Sequence, residues 1–183
     1  MSSLNLTAPI RIREIDSNSE SEISLVARRM RATLVEVEGE RVGTALYTMD
    51  WLHERVRWHL NNPEVRAKVL LAVHHAGEII GHTIVRKEWD LSDQPFGLFS
   101  TIYVAPEFRR LGIANGLLKA GEDWFADQGL QSYATWTSST NHRLIRLYEK
   151  NGYCITEQQR HEATNTLMVR LTKFIALLNH ASG

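Results

Sequence analysis

The chain has a single cysteine, Cys154, in 183 residues. No intrachain disulfide can form, and this usage suits a reducing compartment. No run of about 18 apolar residues occurs, which argues against a membrane-spanning helix. The start lacks the basic, apolar and small-residue succession of a secretory signal, so a cytoplasmic protein is expected. Excess charge is missing as well. Lys plus Arg and Asp plus Glu number 21 each, so no net field is aimed at nucleic acid or an anionic membrane, although a local cationic patch stays open. Metal-ligand spacing is also absent. His53-Glu54 is followed by Arg57 where H-E-x-x-H needs its second histidine, and His59 falls two residues late. His74 and His75, read as strand neighbours, should point to opposite faces and not chelate together. There is no acidic loop of the calcium type, so no metal is expected. The two best-known phosphate motifs, G-x-x-x-x-G-K-[ST] and G-x-G-x-x-G after a strand, are missing too.

What the chain does have is a dense stretch, Ile102-Tyr103-Val104-Ala105-Pro106-Glu107-Phe108-Arg109-Arg110-Leu111-Gly112-Ile113-Ala114. Residues 98–104 are apolar and β-branched, as in a buried strand. After Gly112, Ile113, Ala114, Leu117, Leu118, Trp124 and Phe125 recur at helical spacing. A loop with two arginines and a glycine therefore runs from the end of a strand into a helix. The first turn of a helix has unpartnered N–H groups and the positive end of the macrodipole, and small residues at 112 and 114 leave room for an approaching anion. That arrangement binds phosphate or pyrophosphate. Equally, Arg109 and Arg110 could be solvated loop charges, with the small residues serving only helix packing.

The pattern Arg109-x-x-Gly112-x-Ala114 resembles the acyl-CoA signature of the GCN5-related N-acetyltransferase (GNAT) superfamily. A second stretch, Asn141-His142-Arg143-Leu144-Ile145-Arg146-Leu147-Tyr148-Glu149-Lys150-Asn151-Gly152-Tyr153, resembles that superfamily's Asn-x-x-Ala-x-x-Leu-Tyr-Glu-Lys-x-Gly-Phe, with Leu144 for Ala and Tyr153 for Phe. By its own spacing, Asn141, Leu144 and Tyr148 share one side of a short helix that Asn151-Gly152 ends. Read without the resemblance, Tyr148 is a half-buried core aromatic with its hydroxyl at the surface.

At this length one domain, residues 1–183, with a sizeable core is expected. Residues 1 to 9 should fray. A strand is predicted near 10–14, then a helix capped around Ser19 to Glu22, with Ile23, Val26, Met30, Leu34 and Val37 on its apolar face, ended by Gly39. A second helix spans about 50–60. Its Trp51, Leu52, Val56, Trp58 and Leu60 cover more than half its surface, which lines a groove or, as we expect, sits between neighbouring elements. Strands follow near 69–73 and 79–85 around a turn at Gly77, then a turn over 90–97 and the strand 98–104. After the motif helix come a strand at 133–137, the helix of 141–151, and strands near 153–158 and 164–171. The resemblance implies an α/β fold: a twisted mixed β-sheet flanked by helices and splayed between the strands near 98–104 and 132–137.

It also implies N-acetyl transfer from acetyl-CoA to a primary amine of a small molecule or peptide, by direct attack through a tetrahedral intermediate. Backbone groups of Ile102 and Val104 would pair with the pantetheine amides. Amides across Arg110, Leu111, Gly112, Ile113, Ala114 and Asn115 would hold the pyrophosphate, with charge from Arg109 and Arg110. A strand amide would stabilise the oxyanion, Asn141 and Tyr148 would contact the cofactor, and Tyr148 would be the general acid for the departing thiolate. The base is open: no carboxylate lies between Leu98 and Val104, which leaves Glu88, Asp90, Glu54, His82 or a water held by Ser100 or Thr101. The alternative is a non-catalytic acyl-CoA-binding sensor, since binding through backbone amides outlives the loss of catalytic side chains. The apolar segment Leu171 to Leu178 should dock on the core or on a second subunit, and the resemblance tilts this toward a homodimer.

Overall fold

The computed structural model describes residues 9–176. In order, the elements are β1 (Arg11–Glu14), α1 (Glu20–Glu38), α2 (Glu40–Ala45), α3 (Met49–Asn61), β2 (Ala67–Val73), β3 (Ile79–Trp89), β4 (Pro95–Val104), a 3-10 turn (Pro106–Phe108), α4 (Ile113–Asp127), β5 (Ser132–Ser138), α5 (His142–Lys150), β6 (Cys154–Arg160) and β7 (Leu167–Phe174). The helices begin where side chains satisfy their first amides. Ser19 accepts from the Glu22 N–H, Thr48 from Trp51 and Asn141 from Leu144.

Seven strands form one mixed sheet in the order β1-β2-β3-β4-β5-β7-β6. Both faces are covered, because alternate residues of β2 serve different layers. Val69, Leu71 and Val73 pack with Ile23, Val26, Leu52 and Val56 of α1 and α3, whereas Ala72 packs with Ile113 and Leu117 of α4. A third cluster joins Phe99, Leu118, Phe125, Tyr148 and Leu171. There α4 lies close against β4: a Cβ at Gly121 would run into the Phe99 ring.

The pair β4–β5 is the one parallel pairing of this sheet, and it is short. Gly97, Leu98 and Phe99 align with Tyr133, Ala134 and Thr135, beyond which the strands part while each runs on. At that point Val85 partners Phe99 and Ile84 partners Thr101, leaving Ser100 as an extra residue in β4. Such a bulge bends a strand and sharpens its twist. The expected splay is therefore present, and it starts at the bulge.

Several boundaries differ from expectation. The expected turn over 90–97 is shorter, since Pro95 opens β4 opposite Trp89, an end position a proline tolerates. α2 had no periodic signal of its own in six residues, two of them Gly43 and Thr44. His74 and His75 are not in a strand. β2 stops at Val73, and both rings lie in the turn that the Gly77 N–H closes onto the His74 carbonyl. Their nitrogens meet at 3.0 Å, Nδ1 of His75 on Nε2 of His74, so the expected opposite orientation fails. β7 ends at Phe174, three residues beyond expectation. Leu171 is core and Ile175 packs against it, while Phe174 is 72% exposed. Leu177, Leu178 and most of the expected frayed start, residues 1–8, lie outside the described residues.

Candidate active site

The splay opens a cleft of about 610 Å³ between α1, the end of β4, the start of α4 and α5. Its floor is backbone. The Ala105 N–H bonds back to Ile80 of β3, so by strand alternation Ile102 and Val104 turn their peptide groups the other way, into the splay. The Val104 carbonyl accepts from Nε of Arg109 at 2.9 Å. The remaining outward groups have no strand partner, because β5 has moved away.

At the cleft's far end Gly112 caps α4 with φ +80, and Arg110 is left-handed at φ +66. No side chain caps the helix, so the first-turn amides of Ile113, Ala114 and Asn115 keep their donors. A Cβ at Gly112 would meet nothing within 4 Å. Glycine is there for its backbone angle and for the open approach it leaves.

Charge around this cleft is mostly positive. Arg109, Arg110, Arg143, Arg146 and Lys150 line it against one carboxylate, Glu36 of α1. Glu36 accepts from both terminal nitrogens of Arg109 (3.1 and 2.9 Å) and from Arg143 at 2.7 Å. Burial alone would raise its pKa, but these two guanidinium partners outweigh burial and hold it below the usual carboxylate range. Arg109 is thus tied to Val104 and Glu36 and braces α1 against β4, whereas the backbone of Arg110 shapes the loop. Asn141 bridges β5 and α5, donating to the Thr137 hydroxyl at 3.1 Å while capping Leu144. Asn115 accepts from Asn151 at 3.0 Å, joining α4 to α5. Leu111 is exposed and does not line the cleft.

Tyr148 lies behind the cleft wall and is fully buried, with its ring edge-on to Phe99 and Tyr153. Among the described residues its hydroxyl has no hydrogen-bond partner. The nearby Thr135 hydroxyl donates instead to the Phe99 carbonyl at 3.0 Å. Burial pushes the phenol's pKa up, with the Thr135 hydroxyl opposing. The half-buried reading therefore fails: a buried, unsatisfied hydroxyl beside the splay is what the structure has.

A second cleft, of about 300 Å³, opens on the other side of the splay and shares Thr33 with the first. Ser100 and Thr101 form its boundary with β4. Met30, Leu34, Tyr47, Trp51, Leu52 and Trp136 supply apolar and aromatic walls, and Arg55, His59 and Arg86 the polar ones. The expectation that α3 merely sits between neighbours is corrected for Trp51 and Leu52, which face this space. Trp51 stacks on Tyr47 at 4.0 Å with 12° between the planes.

The candidate bases do not gather here. Glu54 is exposed and paired with Arg57 at 2.7 Å. Asp90 accepts from the N–H groups of Ser92 and Gln94 and so holds the turn before β4. Glu88 lies 2.6 Å from Nε of Arg86, though that N–H is not aimed at the carboxylate and counts as unpaired. His82 is fully buried beneath Tyr103, and burial lowers its pKa to about 3. His59 is held at about 3 by burial and then by Arg55 and Arg86. Imidazoles this weak cannot deprotonate an ammonium near neutrality. Sequence reasoning missed Arg143, Arg146, Lys150 and Glu36, whose charges a helical wheel of each helix would have put on one face. It also missed Tyr47, Arg55, Arg86 and Trp136, which no local spacing brings together. Among the described residues no group of three or more His, Cys, Asp or Glu side chains could hold a metal ion, and no helix is long and apolar enough to cross a membrane.

A parallel pair that splays at a bulge, facing an uncapped helix N-terminus, defines an acetyltransferase-type fold. The Acetyltransferase (GNAT) family profile matches residues 53–153, more than half of the chain, and the chain belongs to that family. The uncharacterized N-acetyltransferase YhfO of Bacillus subtilis (strain 168) is 29% identical over 91 residues, 49% of this chain and 61% of that one. The match thus spans less than two thirds of that relative's length. A chain of the crystal structure of the NatC complex bound to Gag peptide and CoA superposes with a TM-score of 0.73 at 18% identity, covering 91% of this chain and 99% of that one. A GNAT family acetyltransferase from Elizabethkingia anophelis with acetyl-CoA bound gives 0.62 at 19%, covering 91% and 98%. At these identities the likeness establishes the fold.

Proposed function

We propose that the chain, as one domain over residues 1–183, transfers the acetyl group of acetyl-CoA to a primary amine of a small molecule or peptide. One observation carries this reading: two clefts share Thr33 and line successive stretches of β4, one floored by backbone without a strand partner and rimmed by cations, the other apolar and open to Ser100 and Thr101. Pantetheine lies along the outward peptide groups of Ile102 and Val104, as an added strand would. The pyrophosphate sits on the first amides of α4, where the dipole and five cationic side chains favour it. Solved relatives with bound CoA or acetyl-CoA support the same assignment.

The amine nitrogen bonds to the thioester carbonyl carbon, the C–S bond breaks, the nitrogen loses a proton and the thiolate gains one. An N–H of β4 at the bulge stabilises the oxyanion. The nitrogen must attack neutral. For a lysine-like amine this costs about 4–5 kcal/mol at pH 7, and an apolar cleft lined by guanidinium groups reduces it by disfavouring the ammonium. A water at Ser100 or Thr101 then suffices to carry the proton away, and Glu88, Asp90 and Glu54 stay in structural roles. Tyr148 is the proposed general acid, supported by its hydroxyl behind the splay, which is unpaired among the described residues; burial raises its pKa, so donation needs the charge of the departing thiolate to draw the proton.

A second reading, an acyl-CoA-binding sensor without turnover, draws on the same burial of Tyr148 and on the absence of a carboxylate among the residues lining the second cleft. Thiol release from acetyl-CoA over an amine panel, run beside calorimetry with CoA, separates the two. Turnover with micromolar binding supports transfer. Binding without any thiol release supports the sensor, and no binding overturns both. We further propose a cytoplasmic homodimer, with exposed Phe174 at the interface; a monomer mass by light scattering at micromolar concentration overturns the dimer.

A further inference from the structure

The second cleft contains a charge arrangement that acetyl transfer by itself does not require. Arg55 of α3 and Arg86 of β3 both line it, and no Asp or Glu does. Arg86 has Glu88 beside it. Arg55 makes no ion pair or hydrogen bond among the described residues; its guanidinium lies 4.1 Å from the Trp58 ring centre and 6.0 Å from that of Trp51. It is half-buried, and burial, then the charge of Arg86, press its pKa downward, with Glu88, which does not bond to it, opposing. A guanidinium removed from water without an anion is costly, and a planar fork is shaped to receive a carboxylate through two parallel hydrogen bonds.

Position narrows the ligand further. Arg86 stands opposite Leu98 on β4, and the bulge follows at Ser100. The strand position opposite Arg86 and the bulge are therefore two residues apart, ~7 Å. The walls between are the stacked Tyr47–Trp51 pair and Trp136. A volume of about 300 Å³ is at the small end for ligand sites, about 300–1,000 Å³.

Resting on the acetyl-transfer reading, we propose that the acceptor is a small amino carboxylate with an apolar or aromatic body. Its carboxylate pairs with Arg55 and Arg86, its body lies against Tyr47, Trp51 and Trp136, and its amine points to the bulge at Ser100. The two guanidiniums also disfavour an ammonium nearby, which helps the amine attack neutral and turns away polyamines and lysine side chains, whose extra cations would meet no carboxylate.

Matched pairs that differ only in the carboxylate, with the ring between amine and carboxylate, test this with the full chain: 4-(aminomethyl)benzoate against benzylamine, and 4-(2-aminoethyl)benzoate against phenethylamine, beside spermidine and a short peptide with a free N-terminus. Thiol release should give a kcat/KM about 10- to 100-fold higher for the carboxylate member of each pair, the range of one charge-assisted hydrogen-bonded contact. Arg55→Met, which keeps the stem against Trp58, should bring that ratio close to one, mainly through KM. Arg55→Lys should restore part of it, and thermal melts of both variants confirm that they fold. Equal or better use of the decarboxylated amines, of spermidine or of the peptide overturns the proposal, as does an unchanged ratio in Arg55→Met. If CoA binds but no amine is acetylated, the transfer reading has failed and the selectivity is read from tryptophan fluorescence instead. Titration should then show 4-(aminomethyl)benzoate binding more tightly than benzylamine and losing that margin in Arg55→Met. Equal or undetectable binding of both overturns the carboxylate site.

Discussion

The two clefts that meet at Thr33 are made of different material. The larger one is made mainly of main chain: the outward edge of β4 and the bare first turn of α4, with cations around the rim. The smaller one is made of side chains brought in by α1, the segment after α2, α3, β3 and β5. Main-chain donors survive substitution and recognise what every acyl-CoA shares, whereas side-chain walls can be exchanged one at a time and select the partner. The same domain can therefore keep one half of its chemistry constant while the other half changes.

The largest expected effect breaks the first half of that comparison. Gly112→Val must place a branched residue at φ +80, a left-handed conformation that costs about 1–2 kcal/mol for non-glycine residues, and its methyls would stand over the α4 amides. CoA affinity should fall by about 100-fold or more while the chain stays folded. Unchanged affinity by calorimetry in a folded variant would remove the anion site from α4.

Next in size is Tyr148→Phe, which asks whether a buried residue serves the junction. Because its hydroxyl is unpaired, removing it should leave stability unchanged or raise it by about 1 kcal/mol, while kcat falls about 100-fold with little change in the acetyl-CoA KM. The defect should shrink as pH approaches the thiol's own pKa, about 8.5. Wild-type kcat at pH 7, with chemistry shown to limit the rate, would leave Tyr148 as core packing alone.

Acid acts behind both clefts, since His59 lines the smaller and His82 stacks on Tyr103 of the larger. Both are neutral in the fold with pKa values of about 3, against about 6.5 when exposed. The unfolded chain therefore takes up protons first. The stability these imidazoles contribute is complete above pH 6.5 and is lost as pH falls toward 3, by about 1.4 kcal/mol per pH unit for each histidine. Urea unfolding at pH 7 and pH 5 measures the slope, and His82→Leu should lower it by about half; an equal slope would place the proton uptake elsewhere.

The smallest effect concerns the rim. Glu36→Gln releases Arg109 and Arg143 from their shared carboxylate, so CoA should bind a few-fold tighter at low salt, with the gain shrinking as salt screens it. Weaker binding would mean that Glu36 positions those arginines for the ligand and does not compete with it.

The order of elements apart from α2, the two signature segments and the anion loop were legible along the chain, because each depends on residues within a few positions of one another. Arg109 to Ala114 places a strand end, a left-handed glycine and a helix start in sequence, and helical spacing alone put Asn141 and Tyr148 on one side. The splay was an implication of family resemblance, and its physical origin, the extra residue Ser100, shows only once β3 and β4 are in register. Pro95 read as a turn and His74 as a strand residue because end positions depend on the partner strand. The smaller cleft had no signature at all. Tyr47, Arg55, Arg86 and Trp136 are spread over 90 positions, and each alone reads as an ordinary surface or core residue. The sequence by itself determined the anion loop of the larger cleft, since local hydrogen bonding and backbone geometry make it. Tertiary structure alone decided the smaller one and the burial of Tyr148, because both arise from packing α1, α3 and α5 onto a sheet whose strands come from distant parts of the chain.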